Sequence, residues 1–126
     1  MDDSEDSLVL ALPASTVAPG VARRDVKQWL ASRGVGAAVI ESVELVVSEL
    51  VTNSVEHTDS APELEMTRRA DSVRVSVRDG DERGPVARSG GADGGFGLQI
   101  VTQMTRAWGW ERVDGGKVVW ADVALG

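Results

Sequence analysis

The 126-residue sequence contains no cysteine and no tyrosine, and only one histidine and one phenylalanine. The lack of cysteine excludes disulfide bonds and thiolate metal sites and is compatible with a reducing cytoplasm. No apolar run approaches the roughly 18–20 residues that a helix needs to cross a bilayer. Residues 1–6 are acidic where a secretory signal peptide would be basic, so we expect a cytoplasmic protein that does not enter a membrane.

Positive charge is also scarce, with 13 Lys and Arg against 20 Asp and Glu and a net charge of −7. Direct nucleic-acid binding needs a cationic face that displaces counterions, so the charge argues against it and suits a protein partner instead. The length allows one hydrophobic core. We therefore predict a disordered acidic segment, residues 1–6, followed by a single domain, residues 7–126.

Hydrophobic periodicity predicts eight elements in the order β-α-α-β-β-α-β-β. They are a strand at 8–12, helices at 17–33 and 37–57, strands at 63–69 and 73–79, a helix from about 96, and strands at 108–113 and 117–125. The third helix is predicted to bury Leu98, Ile100, Val101 and Met104, and the four tryptophans are predicted to pack in the core or on the sheet. This order favours an α/β two-layer sandwich, with a mixed, mostly antiparallel sheet covered on one face by about three helices.

The second predicted helix carries three polar residues at intervals of four: Glu49, Asn53 and His57. This spacing places them on one stripe of the helix. A carboxylate, a carboxamide and an imidazole stacked in this way can activate a hydroxyl, bind a hard metal ion and position a phosphate. The stripe also suits the solvated face of an amphipathic helix, so the helix alone leaves both interpretations open.

Asp79 ends a predicted strand and is followed by Gly80. A carboxylate at a strand end can accept a hydrogen bond from an exocyclic amine, which is one way to recognise adenine. Asp-Gly is also a common turn pair, so Gly80 is compatible with either role.

Glycines are concentrated between residues 80 and 97, and the segment ends as Gly94-Gly95-Phe96-Gly97 before a predicted helix. Residues without a Cβ let backbone N–H groups approach phosphate oxygens at a helix start. A surface loop is the alternative interpretation. The segment is not a Walker loop, because no Gly-Lys-Ser/Thr occurs, and no strand runs directly into it as a Rossmann fingerprint requires.

Taken in order, residues 49–57, Asp79 and residues 95–98 make the chain resemble the small single-domain proteins of the Bergerat (histidine-kinase-like) ATPase superfamily. The resemblance extends over residues 8–125 and is greatest to bacterial anti-sigma factors that act as serine kinases. It implies the Bergerat ATP-binding fold, with ATP and Mg²⁺ as cofactors. It also implies a sigma factor, an antagonist (anti-anti-sigma) protein or both as partners, and a homodimer.

The resemblance further implies roles for individual residues. Asn53 would hold the Mg²⁺ that bridges the phosphates, and Glu49 would be the catalytic base for a serine or threonine hydroxyl of the antagonist. Asp79 would receive the adenine amino group. The other nucleotide-binding positions implied are His57, Gly80, Gly95, Phe96, Gly97 and Leu98, with residues 81–94 as a lid.

The sequence departs from the family pattern in three places. The first glycine box, Asp-x-Gly-x-Gly, is replaced by Asp79, Asp81 and Arg83, and a late-strand threonine has no equivalent in residues 117–120. Ser54 replaces a common alanine. We predict an ATP- and Mg²⁺-dependent serine/threonine protein kinase of the anti-sigma-factor type that regulates transcription. The alternative is a non-catalytic regulatory protein, with or without bound ATP, that sequesters a protein partner.

Overall fold

A computed structural model describes residues 6–57, 60–85 and 97–126 of the chain. These residues form β1 (Ser7–Ala11), α1 (Ala18–Ser32), α2 (Ala37–His57), β2 (Glu63–Arg68), β3 (Ser72–Asp79), α3 (Gly97–Met104), β4 (Ala107–Val113) and β5 (Gly116–Ala124). None of the helices in these ranges has both the length and the hydropathy needed to cross a membrane. The predicted disorder of residues 1–5 lies outside the described residues, whereas Asp6 pairs with Arg33 at 2.6 Å.

The five strands form one sheet in the order β1-β2-β3-β5-β4. All four pairs of neighbouring strands are antiparallel. The β4–β5 hairpin turns at Asp114 and Gly115, where Gly115 has a φ of +80° that favours glycine. The described residues therefore confirm the predicted sandwich of an antiparallel sheet and three helices.

The core lies between one face of the sheet and the apolar stripe of α2. The buried aliphatic residues of that stripe are Ile40, Val43, Val46, Val47, Leu50 and Val51. Each such side chain contributes about 1.5–3 kcal/mol when it is removed from water. Facing side chains from the sheet include Leu64, Met66, Val75 and Val77. Helix α1 packs on α2, and Arg23 donates a hydrogen bond to Ser48 Oγ at 2.9 Å.

Two predicted packing details differ in the structure. Met104 is 37% exposed, so its predicted burial is wrong, while Val101 is fully buried. Helix α3 has eight residues and packs mainly against α2, and Met104 is its last residue. Trp29 is buried and Trp108 and Trp120 are half-buried, but Trp110 is 40% exposed.

On the face of the sheet opposite the core, Arg74 joins two side chains of β5. Its guanidinium donates to both carboxylate oxygens of Asp122 at 2.8 Å and lies 4.2 Å from the centroid of a Trp120 ring. These hydrogen bonds lower the pKa of Asp122 and raise the pKa of Arg74. The cluster therefore ties the two central strands together by charge as well as by backbone hydrogen bonds.

Gly116→Ala is expected to destabilise the fold by about 1–3 kcal/mol, because a Cβ there would overlap the carbonyl oxygen of Asp79 on the paired strand. Gly20→Ala is the control, since its Cβ would lie in ordinary contact, 3.7 Å from Arg23, within helix α1. The control should leave the protein as stable or more stable, by up to about 1 kcal/mol. Urea unfolding measures both, and equal stability of Gly116→Ala and the native protein would contradict the prediction.

Asp122→Asn is expected to lower the free energy of unfolding at pH 7 by about 1–2 kcal/mol. Because folding lowers the pKa of Asp122, the pair stabilises the protein above the ordinary Asp pKa of about 3.9, and this contribution is lost as the pH falls through the lowered pKa. The difference from the native protein should therefore shrink below about pH 4.

Asp114→Asn, at an exposed turn position that suits either residue, is the matched control for Asp122→Asn. It should change stability by less than about 0.5 kcal/mol. Urea titrations from pH 7 into acid measure both variants. A destabilisation by Asp122→Asn that stays constant over the whole pH range would show that the ion pair is not its cause.

Candidate functional site

Helix α2 has the predicted bounds and presents two of the predicted polar residues, Glu49 and Asn53, on one face. Glu49 and Asn53 are half-buried, and His57 is the last residue of the helix. Residues four apart are separated by about 6 Å along the axis, so Glu49 and Asn53 lie one above the other on one face. The helix contacts β3, β5 and α3. It therefore packs against both strands that carry the charged pair described next.

Asp79 is the last residue of β3 and lies directly opposite Lys117 of β5. Lys117 Nζ donates to both carboxylate oxygens of Asp79, at 3.0 and 2.9 Å. The two side chains are 1% and 2% exposed, on the same face as buried Val77 and Val119. Lys117 was not among the predicted site residues. The sequence does contain a signal for this residue. Lys117 is two residues before buried Val119 on β5, so the alternation of the strand places the lysine on the buried face.

The turn after β3 is held by side chains at Asp81 and Arg83, the two positions where the resemblance implies glycines. The Asp81 N–H donates to Asp79 Oδ1 at 2.9 Å. The Arg83 guanidinium and its backbone N–H donate to the Asp81 carboxylate and hold the pKa of Asp81 well below its ordinary value. No non-glycine residue in the described ranges has a positive φ. Asp81 and Arg83 therefore adopt ordinary backbone conformations.

Gly80 lies beside Asp79 at the edge of an open cavity. Its N–H donates to Ser60 Oγ at 2.7 Å. The cavity has a volume of about 310 Å³ and is lined by residues that include Ser60, Asp79, Gly80 and Gly115. Two predicted site residues, Asp79 and Gly80, are therefore brought together at this end of the sheet.

The beginning of the predicted lid is anchored to strand β4. Arg112 Nε donates to the Glu82 carbonyl at 3.2 Å, and the Trp110 ring covers Gly84 so closely that a Cβ there would lie 2.5 Å from it. This contact explains the position of the exposed tryptophan. Residues 81–85, the first part of the predicted lid, are therefore held against β4 by these contacts.

The predicted glycine loop is only partly described. Gly95 and Phe96 lie outside the described residues, and Gly97 is the first residue of α3, close to the predicted start near 96. Leu98 lines a second open cavity of about 540 Å³ between α3, Pro85 and Trp108. Leu98 and Asp79 line different cavities, and no residue of the helix stripe lines either of the two.

The phosphate side of the site fits a magnesium-bound nucleotide better than the base side does. Within residues 6–57, 60–85 and 97–126 there is no group of three or more His, Cys, Asp and Glu side chains that could hold a metal. Mg²⁺ bound through substrate phosphates needs only one or two protein ligands, and Asn53 can supply one. The following residue, Ser54, lies on the buried stripe of α2, and its Oγ has no hydrogen-bond partner among the described residues.

The fold recurs in solved structures at low sequence identity. The structure of the RsbU and RsbW domains of Rv1364c from Mycobacterium tuberculosis has a TM-score of 0.70 at 21% identity, over 93% of this chain and 32% of that one. The chain thus spans about a third of the length of that protein. The SiaB–SiaC complex from Pseudomonas aeruginosa gives a TM-score of 0.63 at 14% identity, over 93% of this chain and 88% of that one.

Sequence comparison gives the family. No sequence of a curated protein matches the chain significantly. The family described as the histidine kinase-like ATPase domain matches residues 11–123, which include α2, the Asp79 turn and all of α3. Because this match extends over nearly the whole sequence, the chain belongs to the family of histidine kinase-like ATPase domains.

Proposed function

We propose that this domain is an ATP- and Mg²⁺-dependent serine/threonine protein kinase of the anti-sigma-factor type, which regulates transcription by binding a partner and phosphorylating an antagonist. The observation that carries the proposal is helix α2, which runs unbroken from Ala37 to His57 and presents half-buried Glu49 and Asn53 on one face within an ATPase-family fold.

In this function the two helix residues have different tasks. The Asn53 carboxamide would ligate Mg²⁺, and the backbone of residues 95–98 would hold phosphate oxygens near the start of α3. His57 and Gly80 would complete the nucleotide site. Bound Mg²⁺-ATP supplies the phosphoryl group and neutralises its charge. Glu49, one turn before Asn53, would accept the proton of the attacking hydroxyl, a contribution of about 10²–10⁴-fold.

A protein partner suits both the charge and the fold of the chain. The net charge of −7 favours a partner with a basic surface. One structural neighbour is a complex of two proteins, SiaB and SiaC. We propose an antagonist protein, a sigma factor or both as partners, and a homodimer as the assembled form.

The alternative function is a regulator that sequesters its partner without transferring phosphate. The observation that favours it is the base side of the site, where Lys117 engages the Asp79 carboxylate and side chains replace the glycine box. Incubation with labelled ATP and proteins that co-purify with the domain separates the two functions. Transfer of label to a co-purifying protein supports the kinase, and partner binding without transfer supports the alternative.

Glu49→Ala is expected to reduce phosphate transfer to the antagonist by about 10²–10⁴-fold while leaving ATP affinity nearly unchanged, because the base acts on the hydroxyl and not on the nucleotide. Transfer is measured with labelled ATP and affinity by calorimetry. Glu41→Ala, at an exposed position of the same helix, is the control and should retain both properties. Transfer at the native rate by Glu49→Ala would exclude Glu49 as the base.

Asn53→Ala is expected to weaken Mg²⁺-ATP binding at least about tenfold, because a protein ligand of the metal is lost. The loss should be much smaller when calorimetry is repeated with ATP and a chelator in place of Mg²⁺. Glu41→Ala again serves as the helix control. Unchanged Mg²⁺-ATP affinity in folded Asn53→Ala would remove Asn53 from the metal site.

A further inference from the structure

The carboxylate of Asp79 is already hydrogen-bonded by this chain's own groups. Oδ1 accepts from Lys117 Nζ and from the Asp81 N–H, and Oδ2 accepts from Lys117 Nζ. A carboxylate has about four lone-pair sites in all. Donors from the described residues occupy three of these sites, so one lone-pair site, on Oδ2, remains for another donor.

Lys117 is equally committed to this arrangement. Its ammonium has three N–H donors, and its Nζ lies within hydrogen-bond distance of both Asp79 carboxylate oxygens and, at 3.5 Å, of the Asp81 carbonyl. The side chains of the pair are 1–2% exposed. Asp79 and Lys117 thus form a buried ion pair with no net charge, and the two side chains supply most of each other's hydrogen bonds.

This unit changes what the site can recognise. A free buried carboxylate favours a ligand edge that carries a hydrogen-bond donor, such as an exocyclic amine. A neutral amine is a weaker donor than an ammonium, so it would have to use the remaining direction or displace Lys117. Lys117 compensates the charge of Asp79, and three of its acceptor positions are occupied. The carboxylate therefore contributes little to discrimination between the edges of different bases.

We propose that Lys117 determines the nucleotide specificity of this site. By holding Asp79, it removes the selection for adenine, so that nucleoside triphosphates bind through their phosphates and metal with little discrimination between bases. The inference deepens the proposed nucleotide-binding function and rests on it.

The first test uses the native protein, with Mg²⁺-ATP and Mg²⁺-GTP as the probes in calorimetry. The two dissociation constants are expected to agree within about threefold, because the phosphates and the metal are common to both. A preference for ATP of more than about tenfold would overturn the proposal, since it would require a base-reading group that Lys117 does not block.

The second test replaces Lys117. Lys117→Thr frees the carboxylate, and a hydrogen bond to a charged acceptor corresponds to roughly 10–100-fold in affinity, so ATP should bind tighter by that factor while GTP changes much less. Lys27→Thr, at the other lysine of the sequence and exposed on α1, is the matched control. An unchanged ATP-to-GTP ratio in folded Lys117→Thr would overturn the proposal.

Lys117→Thr also leaves a buried carboxylate without its cation, so folding is checked by circular dichroism. Lys117→Gln keeps one donor toward Asp79 and takes the place of the threonine variant if that variant does not fold, with a smaller gain for ATP expected. If neither nucleotide binds to the native protein or to a folded variant, the proposed function fails together with this inference. If the native protein binds both but the ratio does not respond to residue 117, only the inference fails.

Discussion

Helix α2 packs its apolar stripe against the sheet, and the remaining features of the site depend on that packing. Its buried aliphatic residues, each worth about 1.5–3 kcal/mol, fix the rotation of the helix about its own axis. With the rotation fixed, Glu49 and Asn53 are held at the half-buried edge of the stripe, stacked one turn apart. The position of the candidate catalytic groups is therefore a consequence of hydrophobic packing, which sets the orientation of the helix without a polar contact.

The second end of the site depends on strand register. The pairing of β3 with β5 places Asp79 opposite Lys117, and the absence of a Cβ at Gly116 lets the two strands approach at that point. The Asp81–Arg83 turn then adds a donor to the same carboxylate. The lysine and the turn thus act together, because both place donors of the chain itself on the Asp79 carboxylate.

The sequence predicts the helices well because the 3.6-residue period is strong and because Gly34, at a φ of +76°, follows α1 close to the predicted end at residue 33. It predicts the sandwich because residues 63–69 and 73–79 alternate and the helices each have an apolar face. It does not predict the Asp79–Lys117 pair, since that contact needs the register of strands separated by 38 positions. The predicted burial of Met104 is wrong. Met104 is the last residue of α3, and periodicity does not show where a helix ends. The roles of Gly95 and Phe96 stay predictions, because both lie outside the described residues.

A site that reads the base weakly is still compatible with phosphoryl transfer. Transfer depends on alignment of the phosphates and on neutralisation of their charge, which the proposed function assigns to the metal, Asn53 and the helix start. Contacts to the base are the same in the ground state and the transition state, so losing them weakens binding without slowing the chemical step. In the proposed function the Lys117 pair and the metal ligand Asn53 therefore act on nucleotide affinity, whereas Glu49 acts on the rate of transfer. For this reason the occupied carboxylate of Asp79, which favours the sequestering regulator, is also compatible with the proposed kinase.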